Sequence, residues 1–179
     1  RYETEVIEML VDLLNGPRNS GGSLTTGGTE SNIIAMNTAR EWAKQHKPEI
    51  SSPEIIVPRT AHPSFEKGAK ILQMKVVRLE KSPNLNVDLV RMEQAVNTNT
   101  VMVVGSAPPY PYGHTDPIRE IGTIAANHNL WLHVDGCLGG FILPFAREFD
   151  PSIPDFDFSV PSVNSISLDI HKYGYAAKG

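Results

Sequence analysis

Several large classes of protein are excluded by what this chain lacks. Cys137 is its only cysteine in 179 residues, so no internal disulfide can form and a reducing, soluble, cytoplasmic setting is expected. No apolar run approaches the roughly 20 residues that cross a bilayer, and no polybasic or amphipathic anchor is visible. The net charge is −4 with no dense Lys/Arg block, which removes the electrostatic footprint of nucleic-acid binding. No Gly-Lys-Ser/Thr marks a Walker A loop, and no strand leads into a G-x-G-x-x-G turn, so neither common nucleotide cradle is present. No start methionine or signal peptide opens the chain. It begins inside a helical pattern and stops soon after Lys172, so both ends are expected to have been cut from a longer protein.

What remains is enough for one sizeable core, with 40% hydrophobic residues over a single expected unit, 1–179. Val6, Met9/Leu10 and Leu13/Leu14 recur at helical spacing until Asn15-Gly16-Pro17 stops them. A second helix is predicted from Thr29 to about His46, with Ile33, Ile34, Ala39, Trp42 and Ala43 as its apolar side. Strands and helices then alternate. Strands are predicted at 54–57, 74–79, 100–106, 130–134 and 163–168, and helices at 63–72, 87–96 and 117–127. This order implies right-handed βαβ crossovers and an α/β fold of three layers around a mostly parallel sheet.

In such sheets ligands sit beyond the carboxyl ends of the strands. His62 follows the first strand, Ser106 ends the third, Asp135 follows the fourth, and His171 and Lys172 follow the run SISLDI. Each has an ordinary structural explanation: Asp135 as a turn or cap, His62 as a cap, Lys172 as a surface cation with a buried stem. His133, inside its strand, reads as a core residue or one just behind a site. Unrelated structural needs would scatter such residues over both ends of the sheet, whereas these all fall at one rim.

The stretch Thr25-Thr26-Gly27-Gly28-Thr29-Glu30 opens the second helix, where backbone N–H groups and the helix dipole favour a phosphate. A capping box is the competing explanation for the same residues. An anion site combined with a lysine and an acid matches what pyridoxal 5′-phosphate requires. The phosphate needs donors, the aldehyde needs an amine, and the pyridine nitrogen needs a carboxylate that keeps the ring an electron sink. Lys172, Asp135 and, flat against the ring, His62 fit these parts; no metal is called for.

The motifs TGGTES, TAHPSF, GSAPPYPYG, HVDGCLGGF, FDFSVPSVNSIS and DIHKYGYAAKG together resemble the sphingosine-1-phosphate lyases, a branch of the group II pyridoxal-phosphate-dependent decarboxylases. The resemblance implies fold type I, the aspartate-aminotransferase-like fold, with residues 1–179 as the cofactor-binding large domain of a homodimer whose sites lie between subunits. It makes Lys172, Asp135, His62 and His171 the catalytic set. Gly28, Thr29, His62, Ser106, Thr115, Asp135, His171 and Lys172 become cofactor contacts, and Cys137 a near-site residue rather than a nucleophile. The implied reaction cleaves a phosphorylated sphingoid base into a fatty aldehyde and phosphoethanolamine. Amino-acid decarboxylation on the same scaffold is the alternative, and cofactor or lipid-phosphate binding without turnover is a third reading. The chain departs from the family at Tyr112, where histidine is usual, at Gly136, usually alanine, and at Ile170, often threonine.

Overall fold

A computed structural model describes residues 1–80 and 87–178. Helix α1 spans Tyr2–Leu13 and α2 Gly28–His46; β1 (Glu54–Pro58), α3 (Ser64–Leu72), β2 (Lys75–Leu79), α4 (Leu89–Ala95) and β3 (Thr100–Ser106) follow. Then come α5 (Ile118–Asn127), β4 (Trp131–Asp135), a 3₁₀ turn at Gly139–Phe141, α6 (Leu143–Phe149) and β5 (Val163–Ser167). The five strands are parallel and ordered β2-β1-β3-β4-β5. The predicted α/β class is therefore the observed one, and the chain reverses its winding at β1 and β3, where such sheets open a crevice.

Local sequence explains the elements. Every residue of β3, TVMVVGS, is buried, as a central strand covered on both faces must be. Alternate side chains feed two cores. Ile56, Val103, Leu132 and Val134 pack under Ile118, Ile121 and Ile124 of α5 with Met92 of α4. Ile55, Val57, Met102 and Val104 pack under Met36, Ala39 and Ala43 of α2 and Phe65 and Ala69 of α3. Truncating a fully buried side chain such as Met36 to alanine costs about 2–5 kcal/mol. The two helices approach closely because Gly68 has no side chain; a Cβ there would stand 2.7 Å from Met36 Sδ.

Three expectations need correction. The buried stripe of α2 is Asn32, Ala35, Met36, Ala39 and Ala43, whereas Ile34 is 41% exposed, because the helix turns a polar residue inward at 32. The last strand ends at Ser167, so Leu168, Asp169 and Ile170 belong to the turn that follows it. Helix α6 and the 3₁₀ turn have no counterpart among the predicted elements. Helix α6 has no buried residue and hence no apolar stripe to read.

Candidate active site

A cavity of about 670 Å³ opens at the carboxyl ends of the strands. Its wall includes Gly28, Thr29, His62, Ser106, Asp135, Cys137, His171 and Lys172. Seven of the eight residues expected to touch a cofactor are thus on one surface, and the exception is Thr115. That residue is half-buried and off the wall; the turn presents its neighbour Asp116 to the strand end instead, where Oδ2 accepts from Ser106 N at 2.7 Å.

Helix α2 contributes the anion-binding end. Its N-cap is Gly27, at φ +146°. Glu30 reaches back to accept from Thr26 N and Thr26 Oγ1, both at 2.7 Å, so part of a capping box is present. Those bonds, the Thr26 N–H foremost, hold the Glu30 carboxyl below its usual range. They use Thr26 and leave the first-turn N–H groups of Gly28 and Thr29 free of intrahelical partners. Gly28 must be glycine: a Cβ there would lie 2.5 Å from Cys137 Sγ and 2.9 Å from Asp169 Oδ2. A Cβ on Gly27 would come within 3.8 Å of His171 Cε1, which puts that imidazole beside the helix start.

Lys172 projects from the turn after β5, and its Nζ lies 2.8 Å from Oδ2 of the buried Asp169. Asp169, just past the predicted strand, was not among the candidate site residues. A carboxylate three residues before a lysine was the available signal. His171 Nε2 is 4.0 Å from the same oxygen. Gly174 packs against this turn, where a Cβ would meet the Ile170 carbonyl at 2.6 Å, so the main chain of Ile170 is the contact surface.

Asp135 is 7% exposed. Its Oδ1 accepts from Cys137 N at 3.1 Å and its Oδ2 from Asn32 Nδ2 at 3.1 Å. His62 Nδ1 accepts from Ser64 N at 3.1 Å, so Nε2 is the ring nitrogen left to face other partners. The His62 ring meets Tyr110 edge-on at 5.7 Å. Ser106 Oγ is buried without a partner among the described residues, a free hydroxyl on the cavity wall. Cys137 is no nucleophile: burial first, then the charge of Asp135, push its thiol far up. Tyr112, one departure from the family, is 40% exposed and off the wall. Gly136, another, has the Ser167 carbonyl 3.0 Å from where a Cβ would stand.

The donor set fits pyridoxal 5′-phosphate. Glycine-lined helix N–H groups and His171 suit the phosphate, Lys172 the aldehyde, and Asp135 the pyridine nitrogen. His62 suits the ring face, and the unpartnered Ser106 hydroxyl supplies a further polar contact. Among the described residues no cluster of His, Cys, Asp or Glu is placed to hold a metal ion, and no helix is long and apolar enough to cross a membrane.

Comparison with known proteins agrees with this chemistry. The family model for the pyridoxal-dependent decarboxylase conserved domain matches residues 1–179. A sphingosine-1-phosphate lyase of Dictyostelium discoideum is 45% identical over 180 residues, covering 100% of this chain and 34% of the relative. A probable L-tyrosine/L-aspartate decarboxylase of Methanothermobacter thermautotrophicus is 42% identical over 174 residues, 97% of this chain and 46% of the relative. The solved sphingosine-1-phosphate lyase of Burkholderia pseudomallei superposes with a TM-score of 0.92 at 44% identity, over 99% of this chain and 42% of that one. The chain spans about a third of the length of the curated lyases it matches.

Proposed function

The chain belongs to the pyridoxal-dependent decarboxylase family, and on that premise we propose that the protein is a carbon–carbon lyase. Its substrate would be sphingosine 1-phosphate or a related phosphorylated long-chain base, and its products a fatty aldehyde and phosphoethanolamine. The observation that carries this reading is the convergence of Lys172, Asp135, His62 and the α2 N-terminus on one cavity, in a sequence 41–45% identical to seven sphingosine-1-phosphate lyases. Lys67 and Lys178 also line the cavity; these are cations beyond those the cofactor needs, and they suit a substrate with a phosphate of its own.

When bound, pyridoxal 5′-phosphate supplies a conjugated ring that takes up the electron pair left on the amine-bearing carbon as the Cα–Cβ bond breaks. The chain's own residues do the rest. Lys172 Nζ would be the amine that holds the aldehyde group, and Asp169 Oδ2, 2.8 Å away, would hold that amine once the substrate's own has displaced it. From there Nζ would be placed to take the proton that the substrate hydroxyl loses as the Cα–Cβ bond breaks and to return a proton to the substrate carbon. Asp135, its two oxygens bonded by Cys137 N and Asn32 Nδ2, would hold a negative charge toward the ring nitrogen. His62 would cover one ring face, and Gly28, Thr29 and His171 would orient the phosphate. A long-chain base has no α-carboxylate, so the reaction needs no arginine clamp.

The 42% identity to a probable amino-acid decarboxylase favours decarboxylation as the second reading. One assay separates the two. The intact, cofactor-loaded protein is given sphingosine 1-phosphate, then L-tyrosine and L-aspartate; fatty aldehyde release supports the lyase, whereas carbon dioxide without aldehyde rejects it. We propose further that residues 1–179 form the large domain of a homodimer. Exposed Tyr2, Phe145 and Phe149 support it as apolar surface for further chain or a second subunit to cover, and sedimentation of the intact protein as a monomer would refute it.

A further inference from the structure

Behind the cavity, the Asn32–Asp135 contact is the end of a longer buried polar network. Asn32 is 1% exposed and joins four elements. Its Nδ2 lies 3.1 Å from Asp135 Oδ2 and 2.9 Å from Ser64 Oγ; its Oδ1 lies 2.7 Å from Ser167 Oγ and 3.1 Å from His133 Nε2. An ionised carboxylate can only accept, so the amide must turn its NH₂ toward Asp135 and its oxygen toward His133. His133 Nε2 therefore donates. Burial pulls this histidine down to about 4, so at neutral pH the ring carries one proton and Nδ1 is an acceptor. Nδ1 is 2.9 Å from Ser165 Oγ, and that hydroxyl in turn accepts from Trp131 Nε1 at 2.8 Å. Every link then has one direction of donation: Trp131 to Ser165, Ser165 to His133, His133 to Asn32, Asn32 to Asp135.

We propose that Asn32 is a positioning residue for Asp135, the last link of a hydrogen-bond chain that runs across β5 and β4 and presents the carboxylate to the cofactor's ring nitrogen. Links polarised in one direction strengthen one another, and in a dry interior each holds its neighbour to a single rotamer. Ser64 and Ser167 complete the four bonds that fix the Asn32 amide, so its orientation does not depend on the cofactor. The inference rests on the reading that Asp135 faces that nitrogen, and the test separates the two.

Pyridoxal 5′-phosphate and its 1-deaza analogue, with carbon in place of the ring nitrogen, are titrated into the intact apo-protein and its variants by absorbance. Asn32→Ala removes a bond to a charged group, so the cofactor is expected to bind about ten-fold or more weakly, while the analogue's affinity is unchanged. Ser165→Ala leaves Asn32 in place and removes only the hydroxyl serving His133 Nδ1. It shows the same selectivity at smaller size and carries the test if Asn32→Ala does not fold. Equal weakening of both ligands, or of neither, overturns the inference, since a merely structural hub has no means of sensing one ring atom. Asp135→Ala is the control. If it too treats the ligands alike, the assignment of Asp135 falls; if it discriminates and the other two variants do not, only the inference falls.

Discussion

Replacing Asp116 by asparagine should remove a pH dependence of stability that is half hidden in the wild type. Asp116 is fully buried, and burial, reinforced by the charge of Asp135, pushes its carboxyl from 3.8 to about 7. The folded state thus holds this proton more tightly than the unfolded chain does. The resulting stability is complete below about pH 4 and is lost as the pH rises through about 7. At about 1.4 kcal/mol per unit the loss is on the order of 4 kcal/mol. His133 works in the opposite sense. Its folded value is lowered from 6.5 to about 4, so its contribution is present above about pH 6.5 and is lost as the pH falls through about 4. Between those limits the two slopes oppose, and the wild type should be nearly flat. Asp116→Asn keeps an oxygen to accept from Ser106 N and stays neutral throughout. Urea unfolding followed by circular dichroism, in steps from acid to neutral pH, measures both proteins. The wild-type advantage over the variant should shrink by several kcal/mol across the series, exposing in Asp116→Asn the rise with pH that His133 supplies. A difference that stays constant with pH would refute the reasoning.

Three further outcomes follow from the geometry. Lys172→Ala should leave the loaded protein with no pyridoxyl label after borohydride reduction, whereas the wild type carries the label on a peptide containing residue 172; label retained elsewhere would remove Lys172 from its role. Gly28→Ala sets a Cβ 2.5 Å from Cys137 Sγ and, as an overpacked substitution, should destabilise by about 1–3 kcal/mol. Its cofactor affinity should drop as well, and an unaltered absorbance titration would show that the α2 N-terminus is not the phosphate site. Cys137 is 8% exposed with its thiol pushed up by burial, so the apo-protein should resist a thiol-exchange reagent at neutral pH and react fully once unfolded in urea.

Local pattern was sufficient wherever a segment's own residues fix its environment. The apolar run of β3 is buried whatever surrounds it, and the break at Asn15-Gly16-Pro17 stops a helix through backbone restrictions carried by those residues alone. Alternation of strands and helices implied a parallel sheet with one functional rim, and His62, Ser106, Asp135, His171 and Lys172 all reach the wall of one cavity.

What the chain order leaves open is how the elements dock. Thr115 and Asp116 are adjacent, yet only the turn geometry decides that the aspartate takes the Ser106 N–H. Helical period alone allows Ile33 and Ile34 on the apolar side of α2. Asn32 faces inward instead because Asp135, His133, Ser64 and Ser167 arrive there from α3, β4 and β5. Those meetings depend on a register shift between Leu132 and His133 that pairs His133 with Ser165. A one-residue slip would turn the same side chains to the other face. By itself the sequence determined which residues are able to do the chemistry, because residue type and strand ends are local properties. Only the tertiary structure decided how Asp135 is held, because that depends on hydrogen bonds between residues more than a hundred positions apart in the chain.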